Sequence, residues 1–460
     1  MSGLGVCRLE FILKYAYEYK NIFDSEIDIM DKEQRAQLLS QEMMNEVVQK
    51  AIELKEVELK QQLQSEGYVA QKKETRTVQC VYGPMTITRT PFKKKGQKKV
   101  YKPVDDWLEW DASHRNSPGF VAKILQLVPL VISYEKTSMA IETMTNCTVS
   151  RTSIMRIVKL YGKRYNEYLN HLEEFPEVVE KKDKKKVKQL YIEGDGVCFK
   201  LQNGQLKFVH VFMMHEGVKT ISKDRKQSQN KFYFVNENRK KSVNQIKSYI
   251  SAHYNVEDTI ILANSDGGSG YEEAVFRDIA GVCGSFEYFI DRYHVSRKLE
   301  ERIAVDAFIP IFQQAINLGS LNQLKMAFDT YEGYLETEEQ LSDMKKLKNY
   351  LSRHWKHLES LASRGYDIVK EGIGIMESQL RHFTYRLKHC GRHWGEGLNG
   401  MAQLLASQKN ANFKLIYLQT WKQEHDLDEK VRGNLNYRND LRDMERFEPH
   451  TAVKQVNVYL

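Results

Sequence analysis

An acidic segment inside the most strand-like part of the chain constrains the fold more than any other feature. Residues 190–199 have the apolar, β-branched and aromatic character of a buried strand, yet they include Glu193 and Asp195. Removing a carboxylate from water costs several kcal/mol unless a partner compensates for it. A bound metal ion is one such partner. The segment therefore predicts a buried strand that carries a functional site.

Four further strands are predicted downstream, at 208–214, 232–235, 259–263 and 286–290. Helical segments at 241–253 and 271–280 separate the last three strands. Three consecutive strands followed by helix, strand, helix and strand is the order of a ribonuclease-H-like sheet, which is mixed and carries helices on its faces. We therefore expect an α/β ribonuclease-H-like core.

A second acid lies where the fourth of these strands ends. Asp266 belongs to the segment Asn264-Ser265-Asp266-Gly267-Gly268. The first and fourth strands are neighbours in this order, so we expect the carboxylates of Asp195 and Asp266 to converge. Oxygen ligands favour Mg²⁺ or Mn²⁺ over zinc. Two such ions about 4 Å apart can activate a nucleophile and stabilise a leaving oxygen in phosphodiester chemistry.

A third carboxylate is expected on a helix that follows a mostly helical segment at 296–370. Glu377, Arg381 and Lys388 share one face of this helix, because they are spaced at i, i+4 and i+11. One carboxylate beside two cations suits a metal site next to a phosphate backbone. The alternative is a surface helix with an ordinary ion pair between Glu377 and Arg381.

The region before the sheet is predicted to contain a long helix at 32–66, a strand pair at 77–89 with its turn at Gly83-Pro84, and three helices within 119–165. The last two helices are joined by a short segment that ends at Ser150, a predicted N-cap, and this is the helix-turn-helix pattern. The exposed face of the last helix carries the candidate DNA contacts Arg151, Thr152, Arg156, Lys159 and Lys163. Such a face can enter a major groove. The alternative is an ordinary helical hairpin.

Composition excludes several classes of protein for this chain. The net charge of +8 over 460 residues is a modest excess that says little about partners by itself. The six cysteines lie far apart, which excludes a C-x-x-C zinc or redox motif and indicates a reducing compartment. The most apolar run is too short and too interrupted to span a bilayer, and the N-terminus lacks a secretion signal. We therefore expect no membrane partner.

Taken together, the motifs resemble those of a known family. The segments Ile192-Glu193-Gly194-Asp195-Gly196, Asn264-Ser265-Asp266-Gly267-Gly268 and Gly372-Ile373-Gly374-Ile375-Met376-Glu377-Ser378 are similar to motifs of the ISLre-type insertion-sequence transposases, which are related to the Mutator-like bacterial transposases. The resemblance covers most of the chain. It implies a ribonuclease-H-like domain with a helical insertion, and metal-dependent cleavage and joining of DNA by the triad Asp195, Asp266 and Glu377.

The resemblance also implies accessory roles. Asp291-Arg292-Tyr293-His294 is similar to a signature of Mutator-like relatives, a cysteine or aspartate followed after two residues by histidine. His294 would then position DNA; the alternative is that it caps the following helix. Glu193 faces the same side of its strand as Asp195 and is either the first-strand ligand or an accessory residue. The resemblance favours Asp195 as the ligand. The implied cofactor is Mg²⁺ or Mn²⁺, as two ions.

The expected organisation has five regions: an N-terminal helical region at 1–70, a β-hairpin and helix-turn-helix DNA-binding region at 71–180, a catalytic domain at 188–295 and 371–400, a helical insertion at 296–370, and a C-terminal helical region at 401–460. The expected partners are double-stranded DNA, as element ends and target, and further copies of the chain when it is bound to DNA. The expected location is the bacterial cytoplasm, at the nucleoid. Two alternatives stay open: a structure-specific DNA nuclease on the same fold, and a catalytically inactive DNA-binding protein derived from a transposase.

Overall fold

The computed structural model describes residues 3–96, 100–110, 114–174, 180–223, 225–359, 363–366, 373–388 and 394–424. The chain forms two compact units. The first comprises Met1–Ile157 and Trp421–Leu460, and the second comprises Val158–Thr420. Within the described ranges, no helix combines the length and the apolarity that crossing a bilayer requires.

The first unit is mainly helical and carries short strands. Its helices are α1 (Gly3–Asp24), α2 (Ile29–Ser65), α3 (Pro103–Trp107), α4 (Pro118–Leu127), α5 (Tyr134–Thr145) and the beginning of α6 (Arg151–Glu174). Its strands are β1 (Tyr68–Ala70), β2 (Glu74–Cys80), β3 (Gly83–Arg89), β4 (Phe92–Lys94) and β5 (Val100–Tyr101). The long helix predicted at 32–66 corresponds to α2.

Strands β2 and β3 form the predicted hairpin, but the predicted turn is wrong by two residues. The antiparallel register pairs Cys80 with Gly83, so Val81 and Tyr82 form the turn and Gly83-Pro84 opens β3. Gly83 has φ +112°, a conformation that favours glycine. The hairpin stays in place because Val78 and Met85 are fully buried in one apolar cluster with Ile52 of α2.

Helices α5 and α6 are joined by the short connection that the sequence predicts. Asn146 ends α5 in the left-handed region, at φ +54°. The Ser150 hydroxyl accepts a hydrogen bond from the Ser153 N–H at 3.2 Å, which confirms Ser150 as a helix cap. The segments predicted as a helix-turn-helix are therefore two capped helices.

The second unit contains the central sheet and the helices around it. Its strands are β6 (Lys185–Lys186), β7 (Gln189–Lys200), β8 (Leu206–His215), β9 (Val218–Ser222), β10 (Arg225–Ser228), β11 (Phe232–Asn236), β12 (Tyr254–Asn255), β13 (Ile260–Ser265) and β14 (Ser285–Ile290). Its helices are α7 (Arg239–His253), α8 (Glu273–Ala280), α9 (Arg292–Arg302), α10 (Ile309–Asn317), α11 (Leu321–Glu332), α12 (Glu338–His354), α13 (Met376–Leu387), α14 (Leu398–Lys409) and α15 (Phe413–Glu424). Within the described part of this unit, single turns of 3₁₀ helix lie at Lys181–Asp183, Asp306–Phe308 and Trp355–His357.

The central sheet has five strands in the order β11-β8-β7-β13-β14. β8 is antiparallel to both β7 and β11, whereas β13 is parallel to both β7 and β14. The five strands predicted from the sequence are these five, and the first and fourth of them are neighbours as expected. Strand β7, which carries Glu193 and Asp195, therefore lies beside β13, which leads directly into Asp266.

The two faces of β7 have different surroundings. Ile192 is fully buried in the main core cluster, and complete burial of such a side chain contributes about 1.5–3 kcal/mol. On the same face, a side-chain carbon at Gly194 would lie 2.8 Å from the ring of Phe212, so this one position has room only for glycine. The opposite face carries Glu193 and Asp195 and contacts α13. Close packing on one face thus directs both acids to the other.

The segment predicted as a helical insertion contains most of α9 and all of α10, α11 and α12, although its residues 360–362 and 367–370 lie outside the described part of the chain. The sequence predicts that the catalytic segment ends at residue 400. In the structure, α14 crosses that position and continues to Lys409 in the same unit. Its neighbour Asn410 pairs with the backbone of Tyr233 on edge strand β11, accepting at 2.8 Å and donating at 2.9 Å. This amide satisfies the backbone N–H and C=O of Tyr233 on the edge of the sheet.

Of the C-terminal helical region predicted at 401–460, residues 425–460 lie outside the described residues.

Candidate metal centre

The parallel pairing of β7 and β13 sets the heights of the acids on the sheet. The register pairs Glu193 with Asn264. Asp195 and Asp266 each come two residues later, so they stand level where β13 ends. Asp266 follows the strand, and its carboxylate accepts a hydrogen bond from the Gly268 N–H at 2.8 Å. The predicted convergence of the two acids on neighbouring strands has its structural basis here.

Three side chains from distant segments meet at this end of the sheet. Asp195 on β7, His294 on α9 and Glu377 on α13 each offer a ligand atom, and these atoms lie within 4.8 Å of one another. All three side chains are half-buried. Asp266 is close enough to raise the pKa of Asp195 but is not a member of this group. Of the predicted triad, the structure groups Asp195 with Glu377 and places Asp266 beside them.

The electrostatics of the centre are dominated by crowded negative charge. Burial, together with the neighbouring carboxylates of Asp266 and Glu377, raises the pKa of Asp195 to about 6. The Gly196 N–H, which donates to Asp195 at 2.6 Å, and the nearby His294 act in the opposite direction. A divalent cation placed among these carboxylates would relieve the repulsion that keeps the Asp195 pKa high.

The donor set fits a small divalent ion. Mg²⁺ holds its ligands at about 2.1 Å, so ligands on opposite sides of an ion are about 4 Å apart. The group spanning up to 4.8 Å is therefore only slightly wider than a bound ion would set. The sequence predicts oxygen ligands alone, whereas this group also contains the imidazole nitrogen of His294. A nitrogen ligand favours transition metals such as Mn²⁺ relative to Mg²⁺.

The segment Asp291-Arg292-Tyr293-His294 places the histidine by capping a helix. Asp291 is buried at the N-cap of α9, where its carboxylate accepts from the Tyr293 N–H at 2.9 Å. Burial raises the pKa of Asp291 above its ordinary value. The alternative that His294 caps this helix is wrong, because Asp291 does so. His294 instead lies in the first turn and faces Asp195.

Glu193 and Asp195 have separate environments although they share a face of β7. Glu193 is fully buried and accepts hydrogen bonds from the backbone N–H groups of Ile375, at 3.3 Å, and Met376, at 2.9 Å. Its Oε1 also lies 3.4 Å from Nε2 of His215. The sequence left open which of the two acids is the first-strand ligand. The geometry brings Asp195 into the group and directs Glu193 to the start of α13.

Two residues near Asp266, Tyr350 and His354 of the helical segment, were not predicted from the sequence. Gly267 has φ +71°, and a side-chain carbon there would lie 2.8 Å from the imidazole of His354. Tyr350 lies one turn earlier on α12, and burial together with Asp266 raises its pKa. No local motif marks these residues. The signal available was a tyrosine and a histidine spaced i, i+4 on a helix inserted between catalytic segments.

The residues of α6 that are predicted to contact DNA differ in whether they form ion pairs with neighbouring acids. Arg151, Thr152 and Arg156 are exposed on α6. Further along this helix, Lys159 pairs with Glu396 at 2.9 Å and Lys163 with Glu167 at 3.6 Å. These two lysines therefore present less net charge than the sequence suggested.

Arg381 and Lys388 are both exposed, but Lys388 is the C-cap of α13 rather than a residue within it. Among the described residues, no ion pair joins Glu377 to Arg381. The alternative of an ordinary surface pair is therefore wrong, and Glu377 faces Asp195 and His294. Of the third motif, Gly372 lies outside the described residues.

Comparison with known proteins identifies the family. The model of an uncharacterised protein family, UPF0236, matches residues 23–416. The chain belongs to the UPF0236 family. It is 31% identical over 404 residues to the UPF0236 protein in vanSb 3'region of Streptococcus gallolyticus, with 87% of each chain covered. It is 24% identical over 414 residues to a UPF0236 protein of Caldanaerobacter subterraneus subsp. tengcongensis, with 87% of this chain and 83% of the relative covered. The name of that relative joins eleven designations from the one organism.

Proposed function

We propose that this UPF0236 protein is the DNA transposase of an insertion sequence, which cleaves and joins DNA strands by metal-dependent phosphodiester transfer through Asp195, Asp266 and Glu377. The observation that carries the proposal is the meeting of Asp195, His294 and Glu377 within 4.8 Å, although they belong to three separate elements. Crowding of buried carboxylates is costly without a compensating cation. A site of this kind is therefore expected to bind one.

Each residue of the centre has a definite task in the proposed reaction. Asp195 and Glu377 would hold one divalent ion with His294 as an additional ligand, and Asp266 would hold a second together with Asp195. Bound Mg²⁺ or Mn²⁺ would lower the pKa of an attacking hydroxyl group and stabilise the leaving oxygen. The protein positions the scissile phosphate and neutralises its charge. Arg381 lies on α13 with Glu377, Lys388 is the C-cap of that helix, and both are exposed, so they are candidates for contacts with the DNA backbone.

Two further observations support the proposal. The strand order β11-β8-β7-β13-β14, with the acids on neighbouring central strands, is the arrangement expected for a ribonuclease-H-like core. A gene present in many copies would produce a name that joins eleven designations in one organism, and a mobile element is expected to be repeated in this way. Both named relatives come from bacteria, which supports a bacterial origin, and a DNA substrate would place the protein at the nucleoid.

The test is a strand-transfer assay with the DNA that flanks the reading frame. Purified full chain is incubated with duplexes carrying each flank, a target plasmid and Mn²⁺ or Mg²⁺. The proposal expects cleavage at the flank ends and covalent joining of the freed 3′ ends to the target, with loss of both in Asp195→Asn and Glu377→Gln.

Cleavage of branched DNA without joining would instead identify a structure-specific nuclease. Metal-independent binding of the flanks without any cleavage would identify a DNA-binding protein that lacks chemistry. Because pairing of two ends requires two active centres, we also propose that the chain assembles into a homo-oligomer on DNA, which sedimentation of the complex would reveal.

A further inference from the structure

Among the described residues of the second unit, a fully buried acid, Glu193, is not a member of the candidate metal-binding group. Glu193 is fully buried near the middle of the sheet, where an isolated carboxylate would be unstable. Its two oxygens accept three hydrogen bonds: Oε2 from the Met376 N–H, and Oε1 from the Ile375 N–H and from His215. Its burial is therefore explained by contacts with the start of α13 and with His215 on β8.

That helix lacks a cap of its own. Ile375 occupies the N-cap position of α13, and its side chain makes no capping hydrogen bond. The first N–H groups of a helix need acceptors and favour a negative charge nearby. Glu193 supplies both from a strand 183 positions earlier in the chain. The start of α13 is thus fixed by the sheet rather than by its own sequence.

We infer that Glu193 is a positioning residue, whose carboxylate ties β7 to the first turn of α13 and so holds Glu377 beside Asp195. Glu193 and Asp195 are two residues apart on the same face of β7. Met376 and Glu377 are adjacent on α13. One buried tether therefore sets the separation of the two carboxylates that reach the metal centre from different elements. The role assigned to Glu377 here rests on the proposed function.

His215 fixes the orientation of the tether. It lies opposite Tyr191 in the β7–β8 register, and the two rings stack with centroids 4.6 Å apart. Its Nδ1 lies 3.2 Å from the backbone nitrogen and 3.3 Å from the carbonyl oxygen of Gly217, and its Nε2 faces Glu193. A proton on Nε2 lets the ring donate to the Glu193 carboxylate while Nδ1 accepts from the Gly217 N–H. His215 is itself fully buried. The Glu193 carboxylate is therefore held from one side by an imidazole and from the other by a helix.

The test compares Glu193→Gln with Glu216→Gln in the full chain. Glutamine has a single acceptor oxygen, so in either orientation its amide leaves at least one of the two helix N–H groups without an acceptor. Glu216 is the control, because it is partly buried and its carboxylate likewise accepts several hydrogen bonds, from Lys185, Asn230 and Tyr254, away from α13. Two readouts are taken: hydrogen exchange of the segment 373–387, and affinity for Mn²⁺ measured by the electron paramagnetic resonance of the free ion.

If Glu193 holds the start of α13, hydrogen exchange there should be at least about 10-fold faster in Glu193→Gln. The affinity for Mn²⁺ should fall by about 10–100-fold, the range found when a group supporting a metal ligand is removed. Glu216→Gln should leave both unchanged. The double variant Glu193→Gln/Glu377→Gln should bind Mn²⁺ no more weakly than Glu377→Gln, because Glu193 acts through Glu377. Should Glu193→Gln fail to fold, His215→Gln removes only the orienting contact and should shift both readouts in the same direction by less.

Unchanged exchange at 373–387 in a folded Glu193→Gln variant would overturn the inference. So would an additional loss of Mn²⁺ affinity in the double variant, since Glu193 would then act independently of Glu377. Failure of the proposed function gives a different result. Wild-type Mn²⁺ affinity in Glu377→Gln alone would reject the metal centre, while faster exchange in Glu193→Gln would still support the tether.

Discussion

Neutralising Asp195 should stabilise the metal-free protein while abolishing its response to metal. Burial and neighbouring carboxylates raise the pKa of Asp195 from 3.8 to about 6. A raised pKa favours the protonated folded form, so the associated stability is present below about pH 4 and is lost as the pH rises through about 6. The difference between the two pKa values corresponds to at most about 3 kcal/mol. Above pH 7, the wild-type protein lacks that stabilisation.

Asp195→Asn removes the charge and keeps an oxygen that can accept from the Gly196 N–H. We expect its free energy of unfolding at pH 7.5 in EDTA to exceed that of the wild type by about 1–3 kcal/mol, and the two proteins to be equal within error near pH 4. Each kcal/mol should raise the melting temperature by about 2–4 °C. Mn²⁺ should stabilise the wild-type protein at pH 7.5 and leave the variant unchanged.

The matched control is Asp278→Asn, which removes an exposed aspartate paired with Lys247 at 2.7 Å. An exposed pair contributes roughly 0–1 kcal/mol, so this variant should not gain stability at any pH and should keep the response to Mn²⁺. Equal destabilisation of Asp195→Asn at pH 4 and pH 7.5 would refute the reasoning. Asp195 would then be a structural acid whose charge is already compensated.

Four further outcomes are expected. Asp266→Asn should lower Mn²⁺-dependent strand cleavage by at least about 100-fold while the melting temperature falls by less than 5 °C, measured by gel assay and calorimetry. His294→Asn should weaken Mn²⁺ binding more than Mg²⁺ binding, because only the imidazole nitrogen favours the transition metal; equal losses in a titration would contradict this. Arg156→Ala should reduce the slope of log K for duplex DNA against log salt by about 1, unlike Lys163→Ala, whose charge is already paired. Gly194→Ala should cost about 1–3 kcal/mol in urea unfolding because its side chain would meet Phe212.

The sheet could be predicted because its strands are marked by local composition. Alternating or continuous apolar runs of suitable length set all five strands, and their order along the chain placed the first beside the fourth. The hairpin turn was misplaced by contrast, because Gly83-Pro84 is a strong turn signal in isolation. The left-handed conformation of Gly83 is used to open β3 rather than to form the turn itself.

The acids of the candidate centre were also visible in the sequence, because a carboxylate inside an apolar strand is unusual. The different roles of these acids could not be predicted. Glu193 and Asp195 share a face of β7, and they differ because the backbone N–H groups at the start of α13 donate to Glu193. Backbone contacts of this kind leave no side-chain pattern. The same holds for His215, whose part depends on the register between β7 and β8.

The contribution of the helical segment before α13 was not predictable for a related reason. His354 reaches Gly267 across 87 positions of sequence, and the contact depends on how α12 packs rather than on any motif. Asp291 was noted as part of a signature, but its task as the N-cap that sets the position of His294 became clear only from the hydrogen bond to the Tyr293 N–H. Local motifs therefore identified the residues, and packing assigned what each one does.

The most direct test of the metal centre is an anomalous difference map from crystals of the full chain grown with Mn²⁺, recorded at the manganese absorption edge. If the metal centre is as proposed, a peak should lie within bonding distance of Asp195, Glu377 and His294, and any second peak should lie between Asp195 and Asp266. A map with manganese elsewhere and none among these four side chains would contradict it.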